Sequence, residues 1–266
     1  MPFVFVRTGR VSYESVGAGP PIVLMHANPG DRHDFDAVVP ELARTHRVIA
    51  IDWPGYGDSD APVPEFVASA RLFADVLADV LDVFALDRVV LCGNGVGGFA
   101  AATLAIEQPA RVRGLVLVAP SGFTPMTRIA RAWCAVRGRD FVTRLLAGPM
   151  AYAYLRRRTP TVAAIRARAR RLYGIPPRVA VEAAVWRSLA SPESDLRARA
   201  ARIKQPALLV LGRRDPMLRL RTAGRAAAAA MPGARLVTID TGHEPFAEAP
   251  QEFLTAVRPF LDALPA

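Results

Sequence analysis

Short apolar runs alternate with longer helical patterns along most of the chain. The segments 22–26, 47–52, 88–93, 112–118, 207–211 and 235–240 are rich in Val, Ile and Leu and have the length of buried strands. Their hydrophobicity is continuous, which is the pattern of strands covered on both faces. Ahead of them, 3–7 and 10–16 read as an opening hairpin. Helical spacing falls near 33–43, 66–84, 96–108, 219–231 and 250–263. Strand followed by helix, repeated, predicts an α/β fold with a mostly parallel sheet flanked by helices.

The alternation breaks once. Between Pro120 and Lys204 lies Arg-rich helical sequence without a strand pattern, so a core of 1–120 and 205–266 is expected to carry an inserted helical cap at 121–204. Residues 121–205 hold eighteen Arg and Lys against four acids, a balance of +14, whereas the remainder carries −4. Arg156, Arg157 and Arg158 lie in this stretch, and Arg166, Arg168, Arg170 and Arg171 fall among Val162, Ile165, Ala169 and Leu172, which mark an apolar helix face. Two readings stand for this charge: a solvated polar face, or attraction of an anionic substrate, carrier or surface. No nucleic-acid-binding module is visible, so no nucleic-acid partner is expected.

With 266 residues, 52% of them hydrophobic and 22% charged, the chain is expected to be a globular protein with one large core, and no run approaches the roughly 20 apolar residues of a membrane span. The first seven residues are too soon interrupted for a secretory segment, so the cytoplasm is the expected location. Cys92 and Cys134 lack metal-ligand spacing and are expected to be reduced core residues. No cofactor or metal is expected, and oligomeric state is not legible.

Chemistry concentrates where a predicted strand meets a predicted helix. Residues 91–98 read Leu-Cys-Gly-Asn-Gly-Val-Gly-Gly, which puts Gly95 at the centre of a Gly-x-x-x-Gly turn between them. His26-Ala-Asn-Pro-Gly30 follows another strand, Asp52-Trp-Pro-Gly-Tyr-Gly-Asp-Ser59 follows the next, and Gly212-Arg-Arg-Asp-Pro216 and Thr241-Gly-His-Glu-Pro245 follow the last two. These five motifs, in their order along the chain, resemble the α/β-hydrolase superfamily in its cap-bearing branch of esterases, epoxide hydrolases, haloalkane dehalogenases and carbon–carbon bond hydrolases. Outside the cap the resemblance covers essentially the whole chain. It implies the α/β-hydrolase fold, with Gly95 at the nucleophile position, His243 as base, Asp215 as its partner, and the backbone N–H groups of Ala27 and Val96 as an oxyanion hole.

The departure is Gly95 itself, since acyl-enzyme chemistry needs a side-chain nucleophile and glycine has none. Asn94 is not nucleophilic, and Cys92 lies too far back on the strand to replace it. Three readings stay open. The chain is an enzyme acting on an activated carbonyl or ester-like small molecule through a His243/Asp215 acid–base dyad, by water activation or a lyase, cyclase or isomerase step. Alternatively, it is a serine ester or C–C bond hydrolase whose nucleophile was replaced by engineering, or a non-catalytic ligand-binding homologue. The substrate is expected to be a small molecule, with an anionic or carrier-linked one admitted by the basic cap.

Other positions carry smaller expectations. Asn28 is a candidate for substrate contact or turn chemistry, and Asn94 for substrate contact. His26 reads as a structural hydrogen-bonding residue, His33 and His46 as surface or loop residues, and Asp52 and Glu248 as loop-holding carboxylates. Trp133, Tyr152, Tyr154, Tyr173 and Trp186 are candidate pocket aromatics.

Overall fold

The computed structural model describes residues 2–172, 175–218 and 220–265. Eight strands among them form one sheet: β1 (Phe3–Val6), β2 (Gly9–Val16), β3 (Pro21–Met25), β4 (Arg47–Ile51), β5 (Val89–Asn94), β6 (Val112–Val118), β7 (Ala207–Gly212) and β8 (Arg235–Ile239). Their spatial order is β1-β2-β4-β3-β5-β6-β7-β8. β1 pairs antiparallel with β2 and β2 antiparallel with β4, and every later pairing is parallel. The continuous apolar runs are explained by alternation across this sheet. Val89 and Leu91 enter the core on one face and Val90 and Cys92 the core on the other. Leu115 and Leu117 are likewise set against Val116 and Val118.

Helices α1 (Val39–Leu42), α2 (Ala70–Val83) and α3 (Val96–Glu107) lie between the early strands. Four more, α4 (Arg128–Arg137), α5 (Asp140–Tyr154), α6 (Pro160–Leu172) and α7 (Pro176–Ser188), lie between β6 and β7. Then follow α8 (Arg225–Ala230), α9 (Pro245–Glu248) and α10 (Pro250–Asp262). α2 and α3 fill one sheet face, while α1, α9 and α10 fill the other.

Three helix boundaries differ from expectation for local reasons. The pattern at 33–43 is not one helix: a 3₁₀ turn, Arg32–Phe35, is closed by a capping box between Asp31 and Asp34, and α1 restarts with Pro40 in its first turn. Proline has no N–H to continue a helix begun earlier, but is tolerated at a helix start. α2 begins at Ala70 and not near 66, because Ser69 caps it by accepting from Leu72 N at 3.0 Å. The pattern at 219–231 opens on a π-helical turn, Leu220–Gly224, before α8.

The arginines between β6 and β7 are not a uniformly solvated face: some are exposed and others are spent within the protein. Arg137 is buried against Glu182 at 2.7 Å. Arg168 reaches Asp31 and Asp34 at 3.1 and 2.8 Å, Arg166 donates to Leu155 O at 2.8 Å, and Arg178 donates to Gly57 O. Glu248 accepts from Arg156 N and Arg157 N at 2.7 and 2.8 Å, so the end of α9 holds the chain that leaves α5. These contacts fasten the helices between β6 and β7 to segments that follow β3, β4 and β8, at the C-terminal edge of the sheet. In open α/β sheets, ligands bind outside the carboxyl ends of the strands.

Candidate active site

Gly95 caps the N-terminus of α3 with φ +54° and ψ −113°. Its backbone is pinned: its N–H donates to Val118 O at 3.0 Å, and its carbonyl accepts from Phe99 N and Ser121 N at 3.1 and 2.9 Å. Positive φ is costly for a side-chain-bearing residue and free for glycine. Close packing makes the turn possible, since a Cβ on Gly97 would stand 2.4 Å from Met25 O. α3 therefore presses directly on β3. A Cβ built on Gly95 itself would lie 3.1 Å from Ala27 Cβ and 3.3 Å from His243 Nε2.

His243 follows β8 and Asp215 follows β7, and the structure brings them together. Nδ1 of His243 donates to Asp215 Oδ2 at 2.7 Å, while Asp215 Oδ1 accepts from Met217 N and Leu218 N at 2.7 and 3.1 Å. Both residues are buried. Burial alone would push the imidazole pKa down, but the charge and hydrogen bond of Asp215, with Glu248 behind, hold it above its ordinary value of 6.5. Burial opposes ionisation of Asp215 as well, yet His243 and the two backbone donors keep its pKa below the ordinary carboxylate value. A histidine held this way leaves Nε2 facing Gly95 and free to exchange a proton.

The raised histidine value has a sign that NMR can read. In the folded protein, the His243 ring is expected to titrate with a midpoint above 6.5, and Asp215→Asn is expected to lower that midpoint. A midpoint at or below 6.5 in the unmodified chain would mean that burial outweighs the carboxylate. Since the folded-state value is the higher one, the charged pair stabilises the fold fully below the unfolded-state value and loses this contribution as pH rises through the folded value.

Ala27 and Val96 flank the same space, and neither N–H has an acceptor among the described residues. Val96 is the first residue of α3, where the orphan N–H groups and the helix dipole favour negative charge. Asn28 lies next to Ala27. Its Oδ1 accepts from the Tyr56 hydroxyl and its Nδ2 donates to Glu182 O at 3.4 Å, which leaves one amide hydrogen outside these bonds. His26 is a strut: Nδ1 donates to Ala27 O at 2.7 Å and Nε2 accepts from Trp53 N at 3.0 Å. Burial holds its pKa below the ordinary value, in keeping with a neutral ring.

Asn94 is elsewhere than expected. It continues the register of Val90 and Cys92, so its side chain passes to the sheet face under the histidine loop. Its Nδ2 donates to Val118 O and His243 O, both at 3.1 Å, and the residue is fully buried and absent from the cavity wall. It is a tie between strand ends and the His243 loop, not a substrate contact. His46 is likewise buried, with Nδ1 2.9 Å from Thr45 Oγ1, whereas His33 remains partly exposed beside Asp36.

A cavity of about 190 Å³ joins these groups. Gly95, Val96, Ala27, Asn28 and His243 form its floor, and Met126, Trp133, Tyr154, Trp186, Leu189 and Leu218 much of its wall. Ser121, Thr124, Ser194 and Cys134 also line it, which the sequence did not indicate. They come from loops and from α4, whose placement over the sheet is a tertiary matter. Ser194 is already engaged, its hydroxyl donating to Ser188 O at 2.8 Å. Burial pushes the Cys134 thiol pKa up, away from thiolate. Tyr152 is exposed and Tyr173 lies outside the described residues. No arginine lines this cavity among the described residues.

Tyr154 also borders a second, smaller cavity of about 60 Å³, reached by Asp31, Asp34, Arg168, Glu182 and Glu244. There burial and the neighbouring Asp31 push the Asp34 carboxyl up to about 8 despite Arg168. For metal, the described residues offer one grouping, Glu14, His33 and Asp36. Its three ligand atoms lie within 4.8 Å of one another at the surface, and none lines either cavity.

A family model described as the alpha/beta hydrolase fold matches residues 20–250. An uncharacterized protein of Mycobacterium tuberculosis is 28% identical over 98% of this chain and 81% of its own length. The pimeloyl-(acyl-carrier protein) methyl ester esterase of Nitrosomonas europaea is 30% identical over 92% of this chain and 97% of its own. Among solved structures, a thermophilic esterase from Thermogutta terrifontis superposes with a TM-score of 0.83 at 26% identity, covering 98% of each chain. With a mostly parallel eight-stranded sheet, a glycine-pinned turn after β5 and a family match over most of its length, this chain belongs to the α/β-hydrolase family.

Proposed function

We propose that the chain hydrolyses a small, largely apolar ester without a covalent intermediate, His243 activating a water in the space beside Gly95. One observation carries this reading. At the point where a nucleophilic side chain would begin, 3.3 Å from His243 Nε2, the chain has only hydrogen, while the two unpaired N–H groups of Ala27 and Val96 flank the same space. A water there would give its proton to Nε2 as its oxygen bonds to the ester carbon. The carbonyl oxygen takes up the electron pair facing the two N–H donors. When the intermediate collapses, the imidazolium returns the proton to the departing alkoxide, leaving an acid and an alcohol. Asp215 fixes the tautomer and stabilises the imidazolium between these steps. The apolar wall, on which no arginine stands among the described residues, supports a neutral reacting portion. Esterases among the similar proteins support the reaction class.

The test is turnover of short-chain p-nitrophenyl esters by the unmodified chain and by His243→Ala. Loss of about 10² to 10⁴ in kcat is expected for His243→Ala, with no burst of p-nitrophenol before steady state in the unmodified protein. Because the base must be neutral, kcat is expected to rise with pH through a midpoint above 6.5. Turnover unaffected by His243→Ala would overturn the proposal. A second reading, a serine hydrolase whose nucleophile at position 95 was replaced by engineering, is favoured by the turn itself. The pinned backbone keeps position 95 poised between His243 and Ala27.

A further inference from the structure

The helices between β6 and β7 include two whose outer surfaces are inverted relative to a globular helix. α5 turns Thr143, Ala147 and Ala151 inward, while Phe141 and Leu145, one turn apart, are 75% and 62% exposed. α4 buries Cys134 and Arg137, while Ile129, 83% exposed, is followed at i+4 and i+7 by the exposed Trp133 and Val136. Large apolar side chains thus face solvent on both, while the buried residues are small or polar apart from Tyr154 at the end of α5. A core-facing helix shows the opposite pattern. Exposed apolar clusters of this kind mark interaction surfaces.

Charge narrows the partner. Arg128, Arg131, Arg139 and Arg144 are exposed on the same two helices and their connection, and Asp140 is the only acid between residues 121 and 181. Apolar and aromatic residues beside arginines on helices with little negative charge are the composition that settles into an anionic lipid headgroup layer. A second copy of the chain fits poorly, since a two-fold contact through this face would set the same arginines against one another. Moreover, Trp133 is shared with the dyad: it is partly exposed and also lines the cavity that holds His243.

We infer that the α4–α5 face docks on an anionic phospholipid surface and turns the His243 cavity toward it. Docking is independent of the reaction at Gly95, so its test needs no turnover. The full chain is sedimented with phosphatidylcholine vesicles, with or without a third of phosphatidylglycerol, at low and high salt. Binding is expected to the anionic vesicles only, to weaken at high salt, and to shift tryptophan emission to the blue. Ile129→Ser, Phe141→Ser and Leu145→Ser combined, or Arg128, Arg131, Arg139 and Arg144 all changed to Gln, are each expected to reduce binding on the order of a hundredfold. All seven side chains are exposed, and unchanged near-ultraviolet circular dichroism will show that the variants fold. Absence of binding to anionic vesicles, equal binding to neutral ones, or binding untouched by both variants would overturn the inference. So would a dimer that the three serines convert to monomer, because the face would then belong to a second copy.

Discussion

Gly95→Ser is expected to raise ester turnover by about 10³-fold or more, with a burst of p-nitrophenol that the unmodified chain lacks. The magnitude follows from other triads, where removal of the nucleophile costs about 10⁶ in turnover. Space for the side chain is tight but present: its Cβ would stand 3.1 Å from Ala27 Cβ and 3.3 Å from His243 Nε2, so both neighbours must yield by a few tenths of an ångström. The backbone needs no change, because three hydrogen bonds already hold φ at +54°. Strain at that φ is expected to lower stability by about 1 to 3 kcal/mol, visible as a lower melting temperature. A gain in activity joined to a loss in stability would show that the site accepts covalent catalysis. If Gly95→Ser folds and gains nothing, the dyad and the two N–H donors are not aligned for acyl transfer, and the esterase reading loses its geometric basis.

Arg32→Ala is expected to destabilise the fold by about 3 to 5 kcal/mol, the cost of leaving a buried charge without its partner. For a chain of this size, that is a fall of roughly 6 to 20 °C in melting temperature. Arg32 is almost wholly buried, its guanidinium pairs with the fully buried Asp52 and reaches Asp58 at 2.8 Å, and its own N–H donates to Asp52 at 2.7 Å. Removing the guanidinium leaves Asp52, among the described residues, with the backbone donors of Arg32 and Asp58. Because Asp52 anchors the loop that carries Tyr56, and Tyr56 donates to Asn28, loosening is also expected to raise KM for any ligand of the Gly95 cavity. Asp52→Ala in the Arg32→Ala background is expected to recover part of the loss, since it removes the unpaired charge; additive losses would show instead that each side chain acts independently.

Much of the site was legible because its parts are local. Gly93, Gly95 and Gly97 lie within one strand–turn–helix unit, and glycine at such spacing has a steric reason that holds wherever the unit sits. His243 and Asp215 each follow a recognisable strand, and the structure joins them at 2.7 Å through the parallel pairing of β7 and β8. Asn94 shows the limit. One residue from Gly95, it looked like a neighbour of the substrate, but strand alternation sends its side chain to the other face. The arginines between β6 and β7 show it again. Sequence could count them, but not tell Arg137, buried against Glu182 forty-five residues away, from Arg139, exposed two positions on.

The sequence by itself determined the order of strands and helices, the buried character of the central strands, the glycine at the turn after β5, and the strand-end loops that carry His243 and Asp215. These follow from periodicity and backbone sterics, which act over a few residues. Only the tertiary structure decided which side chains line the cavity, which charges are spent within the protein, and that α4 and α5 turn Ile129, Trp133, Phe141 and Leu145 to solvent. Each of these depends on contacts between segments far apart in the chain, where burial and partner are set by packing and not by the neighbours in sequence.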